Sequence, residues 1–183
     1  TYDYFERYFC KPNGPYTINK SAVWSDERLN WLDYERPKML YENNWIAVNE
    51  GIIEGRLIGG NNNTMYGFIG TPYFPDILPG DILLIEDSMK DAATVEKNFA
   101  MLKLHGVFDK VSAILLGKHE LFDDEGTGRT SLDLLLEQLD GKKIPILADI
   151  DCAHTHPMFP LAIGKNIRVN TIDKTITCIE SWL

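Results

Sequence analysis

Ile82-Leu83-Leu84-Ile85 is an apolar run with no polar interruption, the pattern of a strand buried on both faces. Val111 to Leu116 and Ile144 to Ile150 have the same character and predict two more such strands. Between the first two runs, Ala92, Val95, Phe99 and Leu102 recur at helical spacing, and Gly106 is placed to stop the helix. Between the second and third, Leu132, Leu135, Leu136 and Leu139 predict a second helix. Thr130 and Asp133 suit its capping box and Gly141 its end. Trp45 to Val48 and Gly55 to Ile58 read as short strands, the latter running into Gly59-Gly60-Asn61-Asn62-Asn63. Gly70, Pro72, Pro75 and Pro79 mark the stretch from Gly67 to Gly80 as a loop-rich connection. At the other end, Ile167 to Ile172 and Thr175 to Ile179 predict a hairpin across Asp173-Lys174. Strand and helix alternate in the middle, with antiparallel pairs before and after. The pattern predicts a layered α/β or β/β/α domain over 45–183, a mixed sheet with flanking helices.

Residues 1–44 follow a different pattern. Tyr2, Tyr4, Phe5, Tyr8, Phe9, Tyr16, Trp24, Trp31, Tyr34 and Tyr41 crowd a segment broken by Pro12, Gly14, Pro15 and Pro37. A short helix near the start and irregular structure around Trp24 and Trp31 are expected. So many rings need a surface to pack on, either the main domain or a domain outside these residues.

Composition narrows the function classes. Of the 183 residues, 44% are hydrophobic and 25% charged, enough to build a core, and no apolar stretch is long enough to span a bilayer. Membrane insertion is therefore not expected, and no basic start with a following apolar run marks a signal peptide. The net charge of −9, with no dense Lys/Arg cluster, argues against a nucleic-acid partner. Cys10, Cys152 and Cys178 are widely separated and odd in number, which fits free thiols in a reducing cytoplasm.

Chemistry concentrates just past two of the apolar strands, where ligands of sheet domains gather. Glu86-Asp87 follows the first run; a carboxylate there can orient an imidazole, or simply cap the next turn. Asp149-Ile150-Asp151-Cys152-Ala153-His154-Thr155-His156-Pro157 follows the third. This cluster fits a metal site spread over Asp151 to His156, a single catalytic histidine on a loop, or a solvated turn. His105 and His119, at a helix end and after a strand, read as structural or solvated. None of Ser21, Ser25, Ser88, Ser112, Ser131 and Ser181 sits in a Gly-x-Ser-x-Gly elbow or an SxxK pair, and Gly59-Gly60 completes no dinucleotide or P-loop motif. These residues hold no recognisable nucleophile.

Gly55-Arg56-Leu57-Ile58-Gly59-Gly60-Asn61, then Gly70-Thr71-Pro72-Tyr73, then Ile82 to Asp87, then His154-Thr155-His156-Pro157 occur in an order that resembles the carboxy-terminal domain of LD-carboxypeptidases. The likeness is nearer to the microcin C immunity branch, in which Trp-containing segments like Ser21 to Trp31 and Asn44-Trp45 come first. It implies a swivelling β/β/α-type domain of a serine peptidase whose nucleophile lies in an amino-terminal domain outside these residues. Carried across residue by residue, it makes Glu86 and His154 the other two triad members, His154 the base and Glu86 its orienting acid. It places Gly60 and Asn61 along the substrate cleft and gives His156 no role. It further implies a cytoplasmic, often homodimeric enzyme that needs no cofactor and no metal. Its substrate would be a murein LD-peptide or an aminoacyl-nucleotide-like molecule. Taken alone, this chain is expected to hydrolyse nothing; a non-catalytic ligand-binding domain of the same fold is the other reading. Two positions depart from the pattern: Ala153 stands where glycine is usual, and Ala162 where proline is common.

Overall fold

The alternation of side chains along the central strands divides the core in two. In a computed structural model that describes residues 1–10, 14–30, 32 and 35–180, ten strands and four α-helices follow in chain order. They are α1 (Tyr2–Phe5), β1 (Tyr16–Asn19), β2 (Val23–Trp24), β3 (Tyr41–Glu42), β4 (Ile46–Val48), β5 (Ile52–Asn61) and α2 (Asn62–Tyr66). Then come β6 (Ile82–Glu86), α3 (Ala92–Leu104), β7 (Ala113–Gly117), α4 (Ser131–Leu139), β8 (Ile146–Ile150), β9 (Asn166–Asn170) and β10 (Thr175–Cys178). On β6, Leu83 and Ile85 join Ile114, Leu116, Ile146 and Ala148 in a cluster with α3 and α4. Ile82 and Leu84 join Ala113, Leu115 and Leu147 in a second cluster on the opposite face. Every residue of β6 and β7 is buried, as a parallel strand covered on both sides requires.

Eight strands form one sheet in the order β1-β10-β9-β5-β6-β7-β8-β4. The run β5-β6-β7-β8 is parallel, and β4, β9, β10 and β1 add antiparallel pairs outside it. The long strand β5 joins the two regimes: Ile52 to Arg56 pair antiparallel with β9, and Leu57 to Asn61 pair parallel with β6. Gly59 makes that second pairing possible. Its φ is +123°, and a Cβ there would lie 2.0 Å from the Leu84 carbonyl oxygen, so no side chain fits. Helices α2, α3 and α4 lie on one face, and β9, β10 and β1 carry Ile167, Val169, Ile176 and Ile18 into the cluster on the other. The domain is therefore α/β with the β/β/α layering expected from the sequence.

Four rings of the amino-terminal segment, Tyr4, Tyr8, Phe9 and Tyr16, find their surface in that second cluster. Tyr8 is buried there with Trp45 and Phe159, and Tyr4 and Phe9 pack at its edge. Tyr4 meets Phe159 edge-on with centroids 5.0 Å apart, and Tyr8 meets Tyr16 at 4.8 Å. The segment also contributes β1 to the main sheet, paired with β10. Trp24 packs at a tilt against Tyr41 across the two-stranded β2–β3 pair, while Trp31 and Tyr34 lie outside the described residues.

The helices begin as their sequences require. Asp91 caps α3 by accepting from the Thr94 amide at 2.7 Å, and Gly106 follows its end in the left-handed region. Thr130 and Asp133 form the complete capping box of α4. Two details differ from the sequence reading. The stretch after Asn61 opens with the five-residue α2, whose sequence shows no apolar period. On α4 the buried stripe includes Leu134, while Leu136 is exposed. These two residues lie about 100° either side of Leu135, so periodicity alone does not choose between them. Among the described residues no helix is long and apolar enough to cross a membrane. Thr130→Ala removes the acceptor for the Asp133 amide and is expected to lower unfolding free energy by about 1 kcal/mol, read by urea denaturation.

Candidate active site

Four strands deliver their carboxyl ends to one rim. β5 ends on Asn61, β6 on Glu86 and β7 on Gly117, and the chain leaving β8 carries Asp151 to His156. Glu86 is 3% exposed, so its carboxylate must find partners within the protein. Asn61 Nδ2 donates to Oε1 at 3.1 Å, and His154 Nδ1 donates to Oε2 at 2.8 Å. The two side chains that the sequence reading paired do meet. In a neutral imidazole, an Nδ1–H committed to a carboxylate leaves Nε2 as the nitrogen that carries the lone pair. His154 is exposed, and Nε2 has no hydrogen-bond partner among the described residues. An oriented imidazole with its basic nitrogen turned outward can accept a proton from a hydroxyl brought to it.

Asn61 does two jobs. Its amide nitrogen supports Glu86, and its oxygen caps α2 by accepting from the Thr64 amide and hydroxyl, each at 2.9 Å. Gly60, at φ +152° and open on its side-chain side, lines a recess of about 260 Å³ together with Asn61, Glu86, Ala153, Phe159 and Leu161. Glu86 and the two cleft residues suggested by the sequence therefore share one recess, with His154 beside it. A larger recess of about 560 Å³ lies against Trp24, Phe122, Asp149 and the start of α4, and neither Glu86 nor His154 lines it.

Gly117 holds the space for Glu86. A Cβ at that position would come within 2.7 Å of Glu86 Cβ and 2.6 Å of Cys152 Sγ. The buried Cys152 thiol beneath it has its pKa pushed up, by burial first and then by the Glu86 and Asp151 charges. It stays protonated and is no nucleophile at neutral pH.

The loop that carries His154 starts from a buried ion pair. Lys118 is 5% and Asp151 1% exposed, and they meet at 2.9 Å. Asn43 Nδ2 and Trp45 Nε1 donate to the other Asp151 oxygen at 2.7 and 2.9 Å. The Lys118 ammonium also donates to Asn43 Oδ1 at 2.8 Å and to the Asp149 carbonyl. Both Asp151 oxygens are thus engaged by protein donors. Among the described residues no group of three metal-ligating side chains converges. Lys118 and Asn43 had no role in the sequence reading, because their partners are distant in the chain.

Past Asp151 the backbone turns back sharply. Ala153 has φ +56°, so the position does require the left-handed region that glycine adopts freely. His156 N and O pair with Ser25 O and N, both at 2.8 Å, and Phe159 N returns to Asp151 O at 3.0 Å. Thr155 between them is fully buried. The other two histidines stand apart from the rim chemistry. His119 donates Nδ1–H to the Gly117 carbonyl at 3.1 Å, and burial lowers its pKa to about 4. His105 is the exposed C-cap of α3.

Residues 54–169 match the LD-carboxypeptidase C-terminal domain family. Over 186 aligned positions the chain is 50% identical to the microcin C7 self-immunity protein MccF of Escherichia coli, covering all of this chain and 54% of that protein. It superposes on the structure of MccF in the wild-type apo state with a TM-score of 0.93 at 49% identity, covering 100% of this chain and 56% of that one. On MccF in complex with glutamyl sulfamoyl guanosine the TM-score is 0.89 at 51% identity, over 93% of this chain and 52% of that one. The chain spans about half the length of the curated relatives it matches.

Two substitutions test the loop. Lys118→Met leaves the Asp151 carboxylate buried without its counter-charge and is expected to cost about 3–5 kcal/mol in chemical denaturation. Ala153→Gly relieves the left-handed backbone and is expected to raise stability by about 0.5–1 kcal/mol, visible as a higher melting temperature.

Proposed function

The chain belongs to the LD-carboxypeptidase C-terminal domain family, and from that premise we propose that it is the half of a serine-type peptidase or amidase that supplies the acid and the base of a Ser-Glu-His triad. The observation that carries the proposal is the 2.8 Å contact from His154 Nδ1 to the buried Glu86, which leaves Nε2 without a partner among the described residues. The serine comes from a segment outside these residues. His154 takes the serine proton through Nε2 as the hydroxyl attacks the scissile carbonyl, then passes it to the leaving amine. Glu86 fixes the tautomer and stabilises the imidazolium formed between those steps, and Asn61 keeps the second Glu86 oxygen from turning away.

The substrate we favour is a small aminoacyl-nucleotide-like amide. A half-identical relative has been captured with glutamyl sulfamoyl guanosine and another form of it with aspartyl sulfamoyl adenosine. Gly60 and Asn61 form the wall of the cleft nearest the reacting carbonyl. Cytoplasmic location and assembly as a homodimer belong to the same proposal.

In the longer polypeptide that includes the nucleophile, Glu86→Ala and His154→Ala are each expected to lower kcat/KM on an aminoacyl-sulfamoyl adenosine by on the order of 10⁴-fold with circular dichroism unchanged. The 183-residue chain alone is expected to give no turnover. Turnover by the isolated chain, or full activity of either variant, sinks the triad assignment; faster cleavage of a murein LD-peptide reassigns the substrate.

A further inference from the structure

We propose that residues 25–28 of the amino-terminal segment form a strap that holds the Glu86–His154 dyad in register, with Arg28 and Glu120 as positioning residues. The proposal deepens the triad reading and rests on it for its catalytic consequence.

The strap touches three of the four segments that leave the rim, those after β6, β7 and β8. At its first residue, Ser25 is fully buried and exchanges both backbone hydrogen bonds with His156 at 2.8 Å, two positions from the imidazole. Its hydroxyl accepts from the Glu27 amide at 3.1 Å, which turns the segment toward the loop after β7. There Arg28 closes a fork on Glu120, with Nε to Oε1 at 2.9 Å and Nη2 to Oε2 at 2.5 Å. The same Nη2 reaches Ser88 Oγ at 3.1 Å, and Ser88 in turn donates to Glu120. Asp26 adds a longer contact, accepting from the Leu121 amide at 3.4 Å.

Glu120 is the hub. It is 4% exposed, whereas the Arg28 side chain is 52% exposed, so the arginine caps a carboxylate that the fold has already enclosed. The Glu120 backbone is tied to the loop after β6: its carbonyl accepts from the Met89 amide at 2.8 Å, and its amide donates to the Asp87 carbonyl at 3.2 Å. Asp87 is the residue after Glu86. One guanidinium fork therefore links, through Glu120 and Ser88, the exit of the Glu86 strand to the segment that pairs with the His154 loop. The dyad hydrogen bond spans 68 residues of sequence, and beyond the pairing of β6, β7 and β8, the support of Asn61 and the Lys118–Asp151 pair, this strap is a further tie between the two loops.

Arg28 in this position is more than surface decoration. An exposed arginine on an exposed acid contributes little, but here one partner is buried and the geometry is bidentate. Hydrogen bonding from Arg28 keeps the Glu120 carboxyl below the ordinary glutamate range against the opposing effect of burial. Without Arg28, that buried charge keeps Ser88 as its one side-chain hydrogen-bond donor among the described residues, and the loops before and after it lose their common anchor. A dyad misaligned by about 1 Å forfeits on the order of 100-fold in rate.

The deciding measurements are amide hydrogen exchange on the 183-residue chain and steady-state kinetics on the longer polypeptide, comparing Arg28→Leu with Arg28→Lys. Arg28→Leu is expected to speed exchange at the His156 and Met89 amides about tenfold and to lower kcat by roughly 10- to 100-fold with KM changed by less than about threefold. Arg28→Lys, which keeps the charge and loses the fork, is expected to recover part of both losses. Arg28→Leu with exchange at both amides and kcat within about twofold of the parent overturns the strap, as does a change in melting temperature alone. If Glu86→Ala and His154→Ala retain activity, the triad reading fails, while the exchange result still decides whether the strap holds the loops.

Discussion

A lysine and an aspartate buried side by side are costly, because the charges lose more hydration than their attraction returns unless every remaining donor and acceptor is satisfied. Lys118 and Asp151 meet that condition. Asn43 faces both of them, Trp45 donates its indole N–H, and the Asp149 carbonyl takes another proton of the ammonium. The pair therefore joins three stretches of chain at one point: the exit of β7, the exit of β8 and the entry to β4. His154 is three residues beyond Asp151, and the distance it must hold to Glu86 is measured from that fixed point. The rest of the rim is built around a charge pair that cannot move without exposing itself to an apolar interior.

β5 plays the corresponding part in the layering. A strand of ordinary length would belong either to the parallel core or to the antiparallel outer layer. This one has ten residues and belongs to both. Its last residue, Asn61, is at once the end of the sheet, the cap of α2 and a ligand of Glu86. Asp87, next along from Glu86, is fully buried, and burial raises its pKa. It accepts from the Asn63 amide in α2, so the short helix is braced against the same strand end.

How much of this could be read from the chain depends on the range of the interaction. Apolar runs and capping signals are local, and they located β6, β7, β8, α3 and α4 with boundaries close to those observed. Glu86 and the His154 loop were visible as ionisable groups just past buried strands, and the order of family motifs made them a pair. Lys118 and Asn43 were invisible because each looks like a solvated polar residue until a partner 33 or 75 positions away is brought to it. Gly117 was missed for the opposite reason: its function is an absence, the room left for Glu86 and Cys152. The strand of Tyr16–Asn19 is too short for its alternation to register among the surrounding aromatics. Ala153, set apart by the resemblance as standing where glycine is usual, has a backbone in the conformation that favours glycine.

Cys152 lies under the carboxylate, separated from it only by the gap that Gly117 leaves. Its thiol is enclosed and protonated, whereas Cys10 is exposed and Cys178 is buried at the end of β10, opposite Tyr16 of β1. The three sulfurs thus divide by access: an alkylating reagent meets Cys10 on the intact fold and reaches Cys152 only when the floor of the cleft parts. The protein carries its own chemical gauge of whether the rim is closed, written in a residue that takes no part in the proton traffic above it.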